Sequence, residues 1–221
     1  MKMLRNFTIR FVMLTILGIF CVMWAGVGLY STWSLSRVSD GNDVDRQLVR
    51  QMTVLSQGND QYFRFVTRLS RAMEVKAAGG TPDLAPAQQA LDNMSKKLAE
   101  MKAISPGPMD EKVSAQVIST WQALLDQGVT PQMAQAKQAT LEGYRQHANN
   151  VTPPLSRAFG SAAENFNNTA AKALDSTRVV VDGLTSMTRT VIITATIVGL
   201  LILLFTDRYL VAILVKPLDR I

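Results

Sequence analysis

Two long apolar runs near the two ends of the 221-residue chain constrain its fold more than any other feature. Residues 11–30 contain no charged side chain, and residues 187–206 are apolar apart from Arg189 and a few hydroxyl side chains. Each run is long enough to cross ~30 Å of hydrocarbon as a helix. A cleaved signal peptide is the alternative for the first run, but no good A-x-A-like cleavage site is present. We therefore predict two transmembrane helices.

The charges beside these runs predict the topology. Cations flank both runs on what is predicted to be the same side of the membrane: Lys2, Arg5, Arg10, Arg208, Lys216 and Arg220. The positive-inside rule puts residues 1–10 and 207–221 in the cytoplasm, with residues 31–186 outside. In a cell with two membranes, that exterior space is the periplasm. We therefore attribute much of the net charge of +6 to cations that lie beside the membrane surface. No nucleic-acid partner is predicted.

The exterior segment carries the spacing of amphipathic helices. In the first stretch, apolar residues recur at alternating steps of three and four, with Asn59 continuing the rhythm: Leu48, Met52, Leu55, Tyr62, Val66, Leu69 and Met73. Gly79 and Gly80 end this helix, and a second helix runs from Leu84 to the turn at residues 105–108.

Two further helices complete the pattern. The third is predicted to begin at the N-cap Asp110 and to end near Gly128, with a loop and room for a short helix before Asn150. The fourth is predicted to begin at the N-cap Thr152, with Pro153 in its first turn. No segment shows strand alternation. The prediction is an all-α chain: an antiparallel four-helix bundle whose first and fourth helices are continuous with the two spans.

The side chains that catalysis and metal binding require are scarce. Cys21, inside the first apolar run, is the one cysteine, and His147 is the one histidine. A zinc site needs more such ligands, and no nucleophile or phosphate-loop motif is present. His147 is predicted to be a loop side chain. We predict no enzymatic activity, no metal and no cofactor.

Three arginines form a stripe on the first helix of the predicted bundle. Arg64, Arg68 and Arg71 are spaced i, i+4, i+7 and therefore share one face, which is predicted to point away from the core. A solvated face is the simplest interpretation. The alternative is a carboxylate site at an interface between two copies of the chain, with Phe63 and Phe65 flanking the ligand's carbon skeleton.

Three segments carry a resemblance to a known family. They are Leu69-Ser70-Arg71, the stretch from Thr152 to Phe159, and the terminal Val215-Lys216-Pro217-Leu218-Asp219-Arg220-Ile221, which is similar to the opening of a HAMP linker. With two spans around a helical bundle, the chain resembles the N-terminal part of a methyl-accepting chemotaxis receptor of the aspartate/serine type.

The resemblance implies roles for individual residues. Arg71, in the stretch that includes Ser70, matches an arginine that grips a ligand carboxylate. Thr152 matches a hydroxyl residue that contacts the ligand, and Asn150 lies where the family uses a backbone carbonyl for the ligand's ammonium. Two further family arginines fall on Val66 and Val75. Arg64, Arg68 or Lys76 are possible replacements, so the ligand is expected to be a small organic acid or amino acid rather than specifically aspartate.

The resemblance also implies partners and a mechanism. It implies a homodimer in the bacterial inner membrane that senses a small carboxylate and signals by displacement of helix four. HAMP would pass the signal to a chemotaxis coupling protein and histidine kinase through a cytoplasmic half that the sequence does not include. The input half of a sensor histidine kinase or of a cyclic-dinucleotide enzyme is an alternative. A ligand-free, two-span structural coiled-coil protein is another.

Overall fold

The computed structural model describes residues 9–138 and 140–210, and within those ranges every regular element is helical. The elements are α1 (Ile9–Ala77), α2 (Ala85–Ile104), α3 (Glu111–Ala123), a π-helical turn (Leu124–Val129, the π-turn), α4 (Thr130–Lys137), α5 (Leu141–Asn150) and α6 (Thr152–Leu210). The predicted all-α class is confirmed. The predicted HAMP opening at 215–221 and residues 1–8 of the predicted cytoplasmic N-terminus lie outside the described residues.

The chain divides into two compact units, and the two longest helices contribute to both. The first unit, Asn42–Thr177, is the helical bundle: the later part of α1, the hairpin helix α2, the α3–π-turn–α4 rod, the short α5 and the first part of α6. The second unit comprises Met1–Gly41 and Arg178–Ile221 and contains the two apolar segments. The predicted continuity of the first and last bundle helices with these segments is confirmed.

The bundle core is built on the predicted stripe of α1. Leu48, Leu55 and Leu69 are almost completely buried, as the alternating spacing predicts. Each such side chain contributes roughly 1.5–3 kcal/mol when fully buried, so packing rather than helix propensity holds α1 in place. Gly58 lies under the ring of Trp121 from α3, and a Cβ added at Gly58 would overlap that ring. The glycine therefore sets how closely α1 and α3 approach.

The turn after α1 ends the helix as predicted. Gly79 adopts φ +83°, a left-handed conformation that glycine tolerates, and the Gly80 amide donates to the Val75 carbonyl at 2.9 Å. Asp110 caps α3 as predicted, because its carboxylate accepts from the amides of Lys112 and Val113.

The third helix of the bundle departs from its prediction. The chain does not leave the helix near Gly128; it continues through the π-turn into α4 and ends at Lys137. Gly128 is buried and does not have a positive φ. A larger residue would be crowded at this position, because a Cβ would stand 3.1 Å from the Leu124 side chain and 3.5 Å from the Leu155 side chain. The short helix for which the sequence left room is α5.

The second unit presents apolar side chains outward. Val22, Leu29 and Phe205 are each more than 70% exposed, which is the reverse of the bundle's pattern. Both helices are long and apolar enough to cross a membrane. Between them, Gly199 of α6 approaches Met23 and Phe20 of α1, and the hydroxyls of Ser34 and Thr188 form a hydrogen bond of 2.6 Å. Small residues at such contacts allow two membrane helices to approach closely.

Candidate ligand-binding site

A cleft of about 640 Å³ opens in the bundle between α1, α5 and α6, with one residue from α4 (the sensor cleft). Its charged and polar lining comprises Ser70, Glu74, Arg145, Asn149, Ser156 and Arg157, together with Thr152 and Gln132. The volume lies within the range of small-molecule sites. Residues 62–77 of α1 therefore meet the consecutive helices α4, α5 and α6 around one space.

The charges of the sensor cleft come from three different helices. Arg145 belongs to α5, Arg157 to α6 and Glu74 to α1, and all three residues are exposed. Among the described residues, none of the three forms an ion pair with another. Guanidinium groups bind carboxylates through two parallel hydrogen bonds. The cleft thus offers donors for an anionic group without an internal carboxylate already occupying them.

The sensor cleft also has apolar lining residues. Tyr62, Val66 and Met73 line it from α1, and Leu141 and Tyr144 line it from α5. A ligand's carbon skeleton could contact these side chains while its charged groups meet the arginines. This combination of apolar side chains and a few polar groups is typical of sites for small organic ligands.

A buried hydrogen bond links α6 to α4 beside the sensor cleft. The Thr152 hydroxyl donates to Gln132 Oε1 at 2.9 Å, and both residues are at most 3% exposed. The predicted role of Thr152 as an N-cap is wrong, because its hydroxyl is bonded to Gln132 rather than to an amide of its own helix. Thr152 is instead the first residue of α6, and Pro153 lies in the first turn as predicted.

The π-turn fixes the α5 wall. The Nε2 atom of His147 lies 2.9 Å from the carbonyl oxygen of Gly128 in a hydrogen bond. A π-helical turn changes the i→i−4 pairing of an α-helix, so local carbonyls there become available to other donors. His147 was predicted to be a loop side chain. That prediction is wrong: it lies on α5, four residues from Gly143 and two from Arg145.

A second, smaller depression lies on the opposite side of α1. This groove of about 400 Å³ (the hairpin groove) is formed by α1, the α1–α2 connection and α2. Arg68, Arg71, Asp83 and Gln89 line it. The guanidinium of Arg68 donates to the Pro86 carbonyl at 3.0 Å, and the Asp83 carboxylate accepts from the Ala85 amide. Much of its polar surface is therefore engaged in holding the α1–α2 hairpin.

The residues predicted to bind a ligand are distributed over these features. Ser70 and Thr152 line the sensor cleft, whereas Arg68 and Arg71 line the hairpin groove. Arg64 lines neither and pairs with Asp60 at 2.7 Å. Asn150 is exposed at the end of α5, and its neighbour Asn149 lines the cleft instead.

The two phenylalanines predicted to flank a ligand differ in burial. Phe65 is 0% exposed and belongs to the bundle core, so the prediction for it is wrong. The helix brings Phe65 onto the core face between Tyr62 and Leu69, because residues three and four apart share a face. Phe63 is 58% exposed and points away from the core.

Sequence reasoning missed Arg145, Arg157 and Glu74. Arg157 lies in the stretch that resembles the family, five residues after Thr152, and Arg145 lies seven residues before Thr152. The position of Arg157 within that stretch was the available signal, whereas Arg145 lies outside it. No metal site competes with this interpretation, since the described part of the chain contains no group of three or more potential His, Cys, Asp or Glu ligands.

Comparisons with known proteins agree with this architecture. Residues 3–174 match the family TarH, described as the Tar ligand binding domain homologue. A solved structure from Salmonella enterica, described as the N-terminal ligand-binding domain of a methyl-accepting chemotaxis protein, is 65% identical with a TM-score of 0.60. The similarity covers 60% of this chain and 98% of that one. The comparison with curated proteins found no match. The chain therefore belongs to the Tar-type ligand-binding-domain family, and its bundle is the periplasmic sensory domain of a methyl-accepting chemoreceptor.

Proposed function

We propose that this receptor binds a small carboxylate-bearing ligand, an organic acid or an amino acid, in the sensor cleft. The observation that carries the proposal is the convergence of Arg145 and Arg157 from separate helices on one cleft, with no described carboxylate paired to either. Ser70, Asn149 and Ser156 add hydrogen-bonding groups. A bidentate contact from either guanidinium would fix the ligand's orientation.

Signalling follows from the helix that carries one wall of the cleft. Thr152 and Arg157 lie at the start of α6, whose bounds of Thr152–Leu210 include the second apolar span. A ligand that binds one position of α6 more tightly than another shifts the balance between them, and allosteric coupling of this kind is typically worth ~1–3 kcal/mol. The proposed route continues through HAMP to a coupling protein and histidine kinase.

The proposed topology is that of a two-span protein of the inner membrane. Residues 11–30 and 187–206 are the proposed spans, 31–186 the periplasmic domain, and 1–10 and 207–221 the cytoplasmic ends. The cations that flank the spans support this orientation. Reporter fusions near residue 110 are expected to be active only in the periplasm, and activity only in the cytoplasm would reverse the topology.

The arginines of α1 define an alternative location for the same ligand. Arg71, with Arg64 and Arg68, would bind the carboxylate at an interface between two copies of the chain, close to Asn150 of one copy. The exposure of Arg64 and Arg71 supports their availability to such a partner. In this version a homodimer is required for ligand binding, whereas the sensor cleft is complete within one chain.

The test is ligand binding to the full chain in lipid nanodiscs. A panel of organic acids and amino acids is screened by thermal shift, and affinities are measured by calorimetry. Arg157→Ala is expected to weaken binding of any carboxylate that binds by roughly 10- to 100-fold, the range for a hydrogen bond to a charged group. The matched control is Arg46→Ala, which removes an arginine that is 79% exposed and outside the cleft. Equal affinities for the two variants would overturn the cleft assignment.

A further inference from the structure

We infer that Arg37 and Trp33 of α1 form a binding site for the phosphate of an anionic phospholipid, of which phosphatidylglycerol is the type, at the outer surface of the membrane. Both residues follow the proposed first span, which ends at residue 30. The inference rests on the proposed two-span topology. It is independent of the ligand proposed for the sensor cleft, because neither residue lines that cleft.

The first observation is a stack of three side chains on α1. Tyr30, Trp33 and Arg37 are spaced i, i+3, i+7 and therefore share one face of the helix. The ring centroids of Tyr30 and Trp33 are 5.9 Å apart, and the Arg37 guanidinium carbon lies 5.8 Å from the centroid of the Trp33 ring. That distance is typical of a cation–π contact. The guanidinium is thus held beside aromatic side chains of the kind that lie at membrane–water interfaces.

The second observation is the direction in which Arg37 points. Asp40 lies three residues further along α1 and would be an ordinary i, i+3 partner. None of the ion pairs among the described residues joins the two side chains. The guanidinium instead lies over Trp33, toward the N-terminal end of α1, which is the direction that helical side chains favour. On α1, this direction leads toward the proposed span.

The rise of the helix places this contact at the depth of the lipid headgroups. The polar layer on each side of the hydrocarbon is roughly 5–7 Å thick. At ~1.5 Å per residue, Trp33 stands ~4.5 Å beyond residue 30, inside that layer, whereas Asp40 stands ~15 Å beyond it, outside the layer. A guanidinium paired with Asp40 would therefore be in water, and one that lies over Trp33 meets the phosphates.

The chemistry of the lipid follows from the exposed side of the contact. Arg37 is exposed and Trp33 is 51% exposed, so the guanidinium keeps donors that face outward. Guanidinium groups bind phosphate oxygens through parallel hydrogen bonds. In phosphatidylcholine, the phosphate is followed by a quaternary ammonium, which Arg37 repels. Phosphatidylglycerol carries no such cation, so the site is expected to prefer the anionic lipid.

The experiment counts the lipids that stay bound to the full chain. Native mass spectrometry is applied to protein released from nanodiscs that contain equal amounts of phosphatidylglycerol and phosphatidylcholine. Arg37→Ala is expected to weaken phosphatidylglycerol binding at this site about fivefold, the typical effect of one basic residue beside an anionic membrane surface. Trp33→Leu keeps an apolar side chain but removes the ring that holds the guanidinium, so a loss of roughly twofold is expected.

The matched control is Arg46→Ala, which removes an exposed arginine of the same helix that stands ~24 Å beyond residue 30. Its lipid retention should equal that of the wild type, and the cations that flank the spans on the inner side are unchanged in every variant. Equal retention in Arg37→Ala and Arg46→Ala would overturn the inference, as would displacement of the lipid by inorganic phosphate. Because no carboxylate ligand is added, neither result bears on the sensor cleft.

Discussion

The sensor cleft and the hairpin groove each contain two arginines, yet they differ in what surrounds the guanidinium groups. The groove is formed by consecutive helices, and one of its arginines, Arg68, is bonded to the Pro86 carbonyl of α2. The cleft is formed by α1, α5 and α6, and its arginines have no described carboxylate partner. Arginine spacing along one helix therefore marks a face, whereas the cleft combines side chains of α1 with those of α5 and α6, which lie more than 60 residues further along the chain.

The largest expected effect on ligand binding comes from changing the π-turn, which supports the cleft and does not line the groove. Deletion of the exposed Asp126 shortens the Leu124–Val129 turn by one residue. Because one residue corresponds to ~100° of an α-helix, Gln132 would rotate away from Thr152. We expect loss of measurable carboxylate binding and a fall in the free energy of unfolding of about 4 kcal/mol, measured by urea denaturation.

The matched control for the deletion is Asp126→Ala, which keeps the chain length. This substitution removes only the exposed hydrogen bond from Gln122. Its binding affinity should match that of the wild type. Wild-type affinity in the deletion variant would show that the π-turn does not position the cleft.

A pair of arginine variants sharpens the choice between the two depressions. Arg145→Ala is expected to lower carboxylate affinity roughly 10-fold or more, whereas Arg71→Ala should change it by less than about threefold. Both residues are exposed, so neither change should alter folding appreciably. The reverse order of effects in calorimetry would move the ligand from the cleft to an interface between two copies.

His147 tests how firmly the α5 wall of the cleft is held. His147→Ala removes the hydrogen bond to the Gly128 carbonyl and is expected to lower stability by about 1 kcal/mol. Hydrogen exchange over residues 141–150 should accelerate, because α5 opens more readily when it loses this contact. The control is Gln146→Ala, an exposed neighbour on α5. Equal exchange in both variants would remove His147 from its anchoring role.

The smallest expected effect lies on α2, away from both depressions. Lys97 donates to the Glu100 carboxylate at 2.9 Å, and with Arg50 it holds the Glu100 pKa below its ordinary value of 4.5. A lowered folded-state pKa adds stability above pH ~4.5, which is lost as the pH falls through the folded-state pKa. The stability advantage of wild type over Glu100→Gln, less than about 1 kcal/mol for this partly exposed group, should therefore shrink in acid, and Tm measured across pH checks this.

Glu100→Gln should leave both the cleft and the groove unchanged, because Glu100 lines neither. A Tm advantage that grows as the pH falls below 4.5 would contradict the lowered pKa. Repeating the titration in high salt provides the control, since screening weakens such surface pairs.

The fold was largely predictable because the apolar spacing is local information. Leu48, Leu55 and Leu69 follow one stripe, and tertiary packing uses it directly. The π-turn was not predictable in this way. Gly128 looks like a helix stop in sequence, but it is required for close packing against Leu124 and Leu155, which only the assembled bundle reveals.

The candidate site was predictable only in part. The sequence pointed to Ser70 and Thr152, which line one cleft, although their ligand contacts remain predictions. It also favoured Arg64, Arg68 and Arg71, because regular spacing on one helix is conspicuous. Arg145 could not be inferred in the same way, since its position depends on how α5 packs against α1.

The hydroxyl pair of Ser34 and Thr188 has a consequence for movement within the apolar unit. Its 2.6 Å hydrogen bond is formed at a single axial register of α1 and α6, and Ser34 is only 2% exposed. A slide by one helical turn, ~5.4 Å, would separate the two oxygens and break this hydrogen bond. This hydrogen bond therefore favours one axial register of the two helices over others. Substituting either hydroxyl should therefore make the receptor's output less sharply two-valued.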